Sequence, residues 1–217
     1  MDNYTRPADI EKRSFEMITD QLTQRQFDFA AHDSAAMSII LRVIHTTADF
    51  DYAANLVFSP GVIKAAQAAL KAGSAIVTDT KMALSGINKK ALEQLGCTAQ
   101  CFIDAPEVVE RAHAEGTTRA RAAIDYAAQT LPGPIIFAIG NAPTALIRIH
   151  ELVSEGQLAP ALVVGVPVGF VNVVESKELI CSLATVPHIV ARGQKGGSNV
   201  AAAIMNALTY GITAREI

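Results

Sequence analysis

The sequence is short of most residues that announce a specific chemistry. Its 217 residues include no tryptophan and only three cysteines, Cys97, Cys101 and Cys181. They are an odd count with no CxxC pair, which argues against a disulfide framework and for free thiols in a reducing compartment. Charge is scarce as well, at 18% of residues with a formal net of −3. A nucleic-acid binder usually needs a strongly basic face, so no such partner is expected. No apolar run approaches the roughly 20 residues that span a bilayer, so no membrane partner is expected either. The start, MDNYTRPADIEKRSFEM, has neither the charged n-region nor the apolar h-region of a signal peptide. Export is therefore not expected, and a cytoplasmic location is.

Nucleotide and metal signatures are missing too. Gly196-Gly197 leads straight into Ser198 with Lys195 ahead of the pair, so the Walker pattern GxxxxGK[ST] is not met. GxGxxG occurs nowhere, and GVPVG (165–169) lacks the tight first turn of the dinucleotide fingerprint. Histidines 32, 45, 113, 150 and 188 form no HxxxH or HExxH pair, and Cys97 and Cys101 have no histidine nearby. There is no GxSxG elbow for a serine hydrolase. The expectation is no metal site and no cofactor.

What is present is apolar bulk. Half of the residues are hydrophobic and mean hydropathy is +0.27, which suggests a large core, a face buried by a second copy, or both. A homo-oligomer is expected. Ile10, Phe15, Ile18 and Leu22, then Met37, Ile40, Leu41 and Ile44 after Asp33-Ser34, recur at helical spacing. From Ser59-Pro60, read as a cap and a first helical position, helices alternate with short apolar runs. Those runs are 75–79, 98–104, 134–140, 161–167 and 188–192, with the helix between the last two expected from about Glu175 to Ala184. The pattern predicts one α/β domain of three layers, a doubly wound, mostly parallel, five-stranded sheet with an N-terminal helical segment.

In such sheets ligands bind beyond the carboxyl ends of the strands. The loops there read TDTKM (78–82), DAPE (104–107), GNAPT (140–144), GVPVGFVN (165–172) and RGQKGGSN (192–199). The last puts Gly193, Gly196, Gly197, Arg192 and Lys195 directly before a helix that starts at Ser198-Asn199. Glycines let a ligand approach the backbone, and a helix start offers unpaired N–H groups with partial positive charge, which suits a phosphate or a carboxylate. A flexible turn with a serine cap is the plainer reading of the same residues.

His45 lies at a predicted helix end, in VIHTTADF. A core residue, a metal ligand and a proton donor are all compatible with that position. Arg42 lies one turn earlier, Thr46 and Thr47 can hydrogen-bond a ligand, and Asp49 and Asp51 are candidates to orient or charge the ring. An imidazole has a reference pKa near 6.5 and can hold or give a proton at neutral pH. His113, His150 and His188 read as surface, packing or core residues.

VIHTTADFDYA (43–53), TDTKMALSGI (78–87), IGNAPTAL (139–146), GVPVGFVNVVESKE (165–178) and RGQKGGSNVAAAI (192–204) together resemble the precorrin-8X methylmutase family, also called cobalt-precorrin-8 methylmutase. The likeness runs from about residue 6 to residue 209. It implies a doubly wound α/β homodimer that moves a methyl group from C-11 to C-12 of a corrin-type macrocycle, giving hydrogenobyrinate or, with cobalt in the ring, cobyrinate. By that resemblance His45 is the proton donor, and Arg119 in GTTR (116–119) matches a family arginine. Ser14, Thr80, Asn141 and Thr144 are expected near the ring. With Arg42, Thr46, Thr47, Arg192, Lys195, Gly196, Gly197 and Ser198, these make the expected site for a tetrapyrrole substrate. Gln194 departs from the family, which usually has a basic residue there, and this puts one carboxylate contact in doubt. Two other readings compete: a corrinoid-binding carrier without catalysis, and a nucleotide-dependent enzyme on a similar sheet.

Overall fold

The computed structural model describes residues 6–213; the first five residues of the polar start and the last four lie outside it. Two long helices lead, α1 (Pro7–Gln24) and α2 (Ser34–Thr47), separated by a 3-10 turn at Phe29–Ala31. Pro7 fits the first turn of α1, where its missing N–H costs nothing. Asp33 caps α2 by accepting from Ala36 N at 2.7 Å. The helix ends where Ala48 takes a left-handed conformation, φ 53°. Then follow α3 (Tyr52–Asn55), β1 (Leu56–Phe58), α4 (Val62–Lys71), β2 (Ala75–Thr78), α5 (Lys81–Gly86), α6 (Lys89–Gln94) and β3 (Thr98–Gln100). The second half comprises α7 (Pro106–Ala114), α8 (Arg119–Thr130), β4 (Ile136–Ile139), α9 (Pro143–Ser154), β5 (Leu162–Gly165), α10 (Val173–Cys181), β6 (His188–Ala191) and α11 (Ser198–Tyr210).

The sheet runs β1-β6-β5-β4-β2-β3. All pairings are parallel except β1 with β6, where Leu56 faces Ala191. The five expected strands are all present, and the expectation of five is corrected to six. The extra edge strand β1 has three residues, too few for a period of two to register against the helical turn before it. Strand residues alternate between two cores. Ile76, Ile136, Ala138, Leu162, Val164 and Ile189 face α1, α2, α4 and α11. Val77, Phe137, Ile139, Val163 and Val190 face α8, α9 and α10. Near-total burial on both faces is why these strands read as unbroken apolar runs.

Two helix starts differ from expectation. Ser59 does not cap α4: its hydroxyl accepts from His188 N at 2.9 Å, and its own N–H goes to His188 O. It thus extends the β1 edge pairing, and α4 begins only after Gly61, φ 72°. Similarly, α10 starts at Val173 and ends at Cys181, two residues earlier at its start and three at its end than expected.

The chain winds from β2 out to β3, then returns to the other side of β2 for β4, β5 and β6. The order therefore reverses between β2 and β4. At such a switch point, outside the carboxyl ends of the strands, open α/β sheets bind ligands.

Candidate functional site

His45 lies in the last turn of α2, with its ring exposed while its helix neighbours Val43 and Ile44 are buried. Ser14 of α1 reaches across to it, Oγ to Nδ1 at 2.7 Å. Phe15 meets the ring edge to face, centroids 5.5 Å apart. The contact serves either form of the ring: Nδ1 accepts from the serine hydroxyl in the Nε2–H tautomer and donates to Oγ in the imidazolium. Arg42 is engaged one turn back. It pairs with Glu11 at 3.1 Å and lies over the rings of Phe15 and Tyr210. It therefore clamps α1 onto α2 and α11 and backs the residue that packs on His45.

The two threonines diverge. Thr46 is exposed, whereas Thr47 donates to Val43 O at 2.8 Å and accepts from Asp49 N at 3.2 Å, which shapes the turn that ends the helix. Asp49 and Asp51 do not orient the histidine as expected. Both bind Lys195 Nζ, each at 2.6 Å. An ammonium satisfies two carboxylates better than an imidazole already bonded to a serine. Lys195 holds the Asp49 carboxyl below its ordinary value, and the two aspartates raise the Lys195 ammonium. Tyr52 adds a hydroxyl contact to Gly196 O at 3.4 Å. The end of the His45 helix is thus tied to the glycine-rich loop.

That loop sits hard against its neighbours. Gly197 N donates to Val166 O at 2.9 Å, and a side chain at Gly196 would overlap the Val166 carbonyl. Gly197, φ 141°, is the N-cap of α11, and no side chain caps this helix. Ser198 is the first helical residue, as expected, rather than the cap of the plainer reading, and its hydroxyl meets Thr80 Oγ1 at 2.7 Å. Arg192, the other cation of the expected anion site, is exposed and pairs with Glu178 at 3.1 Å.

After β4, Asn141 is exposed and Thr144 bonds Thr118, Oγ1 to Oγ1 at 2.8 Å. Thr118 caps α8, so the exposed Arg119 at its first position is carried beside Thr144. The Thr80–Ser198 contact joins the loop after β2 to the start of α11, and the Thr118–Thr144 contact joins the start of α8 to that of α9.

Two residues that hold this arrangement together went unnoticed in the sequence. Asp79, at the end of β2, is buried and accepts from Gly140 N, Asn141 N and Ala142 N at 2.9, 2.7 and 2.6 Å. Burial pushes its carboxyl above the ordinary value, and the three N–H groups pull it back. Lys177 of α10 is fully buried and donates to Gly193 O at 2.7 Å and Lys195 O at 2.8 Å. Desolvation pushes its ammonium down to about 8. A signal for Lys177 was available: it shares an i, i+3, i+4, i+7 stripe with Val173, Ser176 and Ile180, the buried face of α10. His188 is a buried strand residue, its Nδ1 2.9 Å from Val186 O.

The sheet is doubly wound, and an exposed imidazole, a glycine-rich helix start and an exposed arginine lie on loops and helix ends beyond its strands. The molecule is of the α/β class whose ligands bind at such positions. A model of the precorrin-8X methylmutase family matches residues 9–211, and the chain belongs to that family. It is 45% identical over 206 residues to the cobalt-precorrin-8 methylmutase of Salmonella typhimurium (strain LT2), covering 94% of this chain and 95% of that one. It is also 34% identical over 200 residues to the precorrin-8X methylmutase of a Sinorhizobium species, covering 92% of each. The crystal structure of precorrin-8X methylmutase from Thermus thermophilus superposes with a TM-score of 0.82 at 38% identity, covering 94% of this chain and 95% of that one. Among the described residues no helix is long and apolar enough to cross a membrane.

Proposed function

We propose that this chain is an isomerase of cobalamin biosynthesis that moves a methyl group from C-11 to C-12 of precorrin-8X or cobalt-precorrin-8, with His45 as proton donor. The observation that carries the reading is the Ser14–His45 bond on an exposed ring: in the imidazolium, Nδ1–H donates to Ser14 Oγ and Nε2–H is left for the macrocycle. An isomerisation conserves every atom. The proton that His45 lends to the macrocycle while the methyl migrates returns to the same nitrogen afterwards, so one acid suffices and no relay is needed. Such a donor contributes roughly two to four powers of ten in rate.

The substrate is a broad apolar ring fringed with carboxylates. Arg119, the start of α11 at Gly196, Gly197 and Ser198, and the side chains of Thr80, Asn141 and Thr144 supply its polar rim. Arg192 and Lys195 join that rim by exchanging Glu178, Asp49 and Asp51 for substrate carboxylates. An arginine grips a carboxylate with two parallel bonds and so sets orientation as well as affinity. The working form is a homodimer in the cytoplasm. The exposed apolar side chains Val168, Phe170, Val171 and Val174 next to the site support the dimer, and three free cysteines suit a reducing compartment.

Absorption spectra of the protein mixed with metal-free and with cobalt-containing precorrin-8 test the reading, because methyl migration changes the chromophore. The expected outcome is conversion by the wild type and a loss of two to four powers of ten in His45→Ala, in line with general acid catalysis. Tight binding without conversion by the wild type would make the protein a corrinoid carrier.

A further inference from the structure

The switch point between β2 and β4 is bridged by a buried charge that the methyl transfer leaves unused. Asp79 is 4% exposed, and its carboxylate spans the switch point to take three consecutive backbone N–H groups of the next loop. Three N–H groups converging on one group form an anion nest, and here the protein fills it with its own side chain. Helix α9 begins immediately afterwards, with Ala142 as N-cap, Pro143 in the first turn and no side-chain cap. Asp79 therefore also serves as the anion that this helix start attracts.

What Asp79 holds is the backbone beneath the candidate site. The exposed Asn141 sits between two of the bonded residues, and Thr144 lies in the first turn of α9, bonded to Thr118. On the other side, the adjacent Thr80 bonds Ser198. Gly140 approaches so closely that a Cβ there would stand 2.7 Å from Ser198 Cα. A shift of the 140–142 backbone would be passed to Asn141, Thr144 and the start of α11 together.

We propose that Asp79 is a positioning residue of the methyl transfer: by gripping the Gly140–Ala142 backbone across the switch point, it sets Asn141 in the orientation that meets the macrocycle. By filling the nest before α9, it also leaves the start of α11 as the helix terminus that receives substrate carboxylates. The proposal rests on the methylmutase reading of the site.

Asp79→Asn keeps the shape, removes the charge and turns an NH2 group toward at least one backbone donor. The test measures turnover at saturation and, separately, substrate affinity from the spectral shift on binding, for Asp79→Asn, Asn141→Ala and the double variant. The expected result is a fall in turnover of about thirty- to a hundredfold in Asp79→Asn, as a misplacement near 1 Å produces, with affinity changed less than about threefold. In addition, the double variant is expected to be no slower than the slower single variant, because Asp79 acts through Asn141. Losses that multiply in the double variant, or a loss of affinity with normal turnover, would overturn the proposal. Should Asp79→Asn not fold, Asp79→Ser, which keeps one acceptor oxygen and leaves room for water, enters the same cycle. If neither folds, Asp79 is a purely structural residue and the proposal fails. No conversion by the wild type would instead remove the activity reading, and the proposal with it.

Discussion

Two loops flank the site, and each is held from inside by one buried charge of opposite sign. The 140–142 loop gives its N–H groups to the Asp79 carboxylate, whereas the 192–198 loop gives two carbonyls to the Lys177 ammonium. The choice of charge decides what each loop has left to offer. With its amides taken, the first presents side chains, Asn141 and Thr144. With its carbonyls taken, the second can present the uncapped start of α11. The two buried charges also differ in cost. Asp79 has three donors and a helix dipole to offset desolvation, but Lys177 has only two neutral carbonyls, so its proton is held more weakly.

The largest effect should come from forcing the loops apart where they touch. In Gly140→Ala, the new methyl would meet three backbone atoms of Gly197 and Ser198 between 2.7 and 2.8 Å away. Overpacking against backbone costs about 3 kcal/mol, and the displaced site should lose about a hundredfold in turnover. Urea unfolding and the spectral assay check both. A Gly140→Ala protein with normal stability and activity would show that the loops move independently.

A smaller effect separates the two charges by pH. The Lys177 proton is lost near 8 in the folded protein against 10.5 for an ordinary lysine. Between those values the unfolded chain binds more protons, so stability rises with pH, and the desolvation cost present below pH 8 is relieved. Wild type should therefore gain on the order of 2 kcal/mol relative to Lys177→Met between pH 8 and 10. Denaturant midpoints across that range measure it. Parallel curves would mean that Lys177 titrates as if exposed.

The smallest effect concerns the loop's outer cation. Arg192 pairs with Glu178 in the open, a contact worth at most about 1 kcal/mol. Arg192→Ala should leave the unfolding midpoint nearly unchanged and raise KM several-fold, while Glu178→Gln, which releases the guanidinium, should lower KM. Unchanged KM in both would confine Arg192 to the protein surface.

Much of this was legible in the residues. The parallel strands announced themselves as unbroken apolar runs because both faces are covered, and the last turn of α2 was readable from the 3.6-residue spacing that ends at His45. The glycine-rich loop was legible because only glycine tolerates the Gly197 backbone and the contact of Gly196 with Val166. Other features were hidden because they depend on partners far away in the chain. The partners of Lys195 are 146 and 144 residues distant. Ser59 has the sequence neighbours of a helix cap, but its hydroxyl is spent on His188, 129 residues on.

By itself, the sequence determined the layers and the family, because apolar period and glycine placement are local properties that survive without knowledge of partners. Only the tertiary structure decided which charges face the crevice and which are consumed. A charge in a loop can point to solvent, to a ligand or to another loop. The choice is made by which backbone groups the fold leaves unpaired next to it, and burial makes that pairing obligatory.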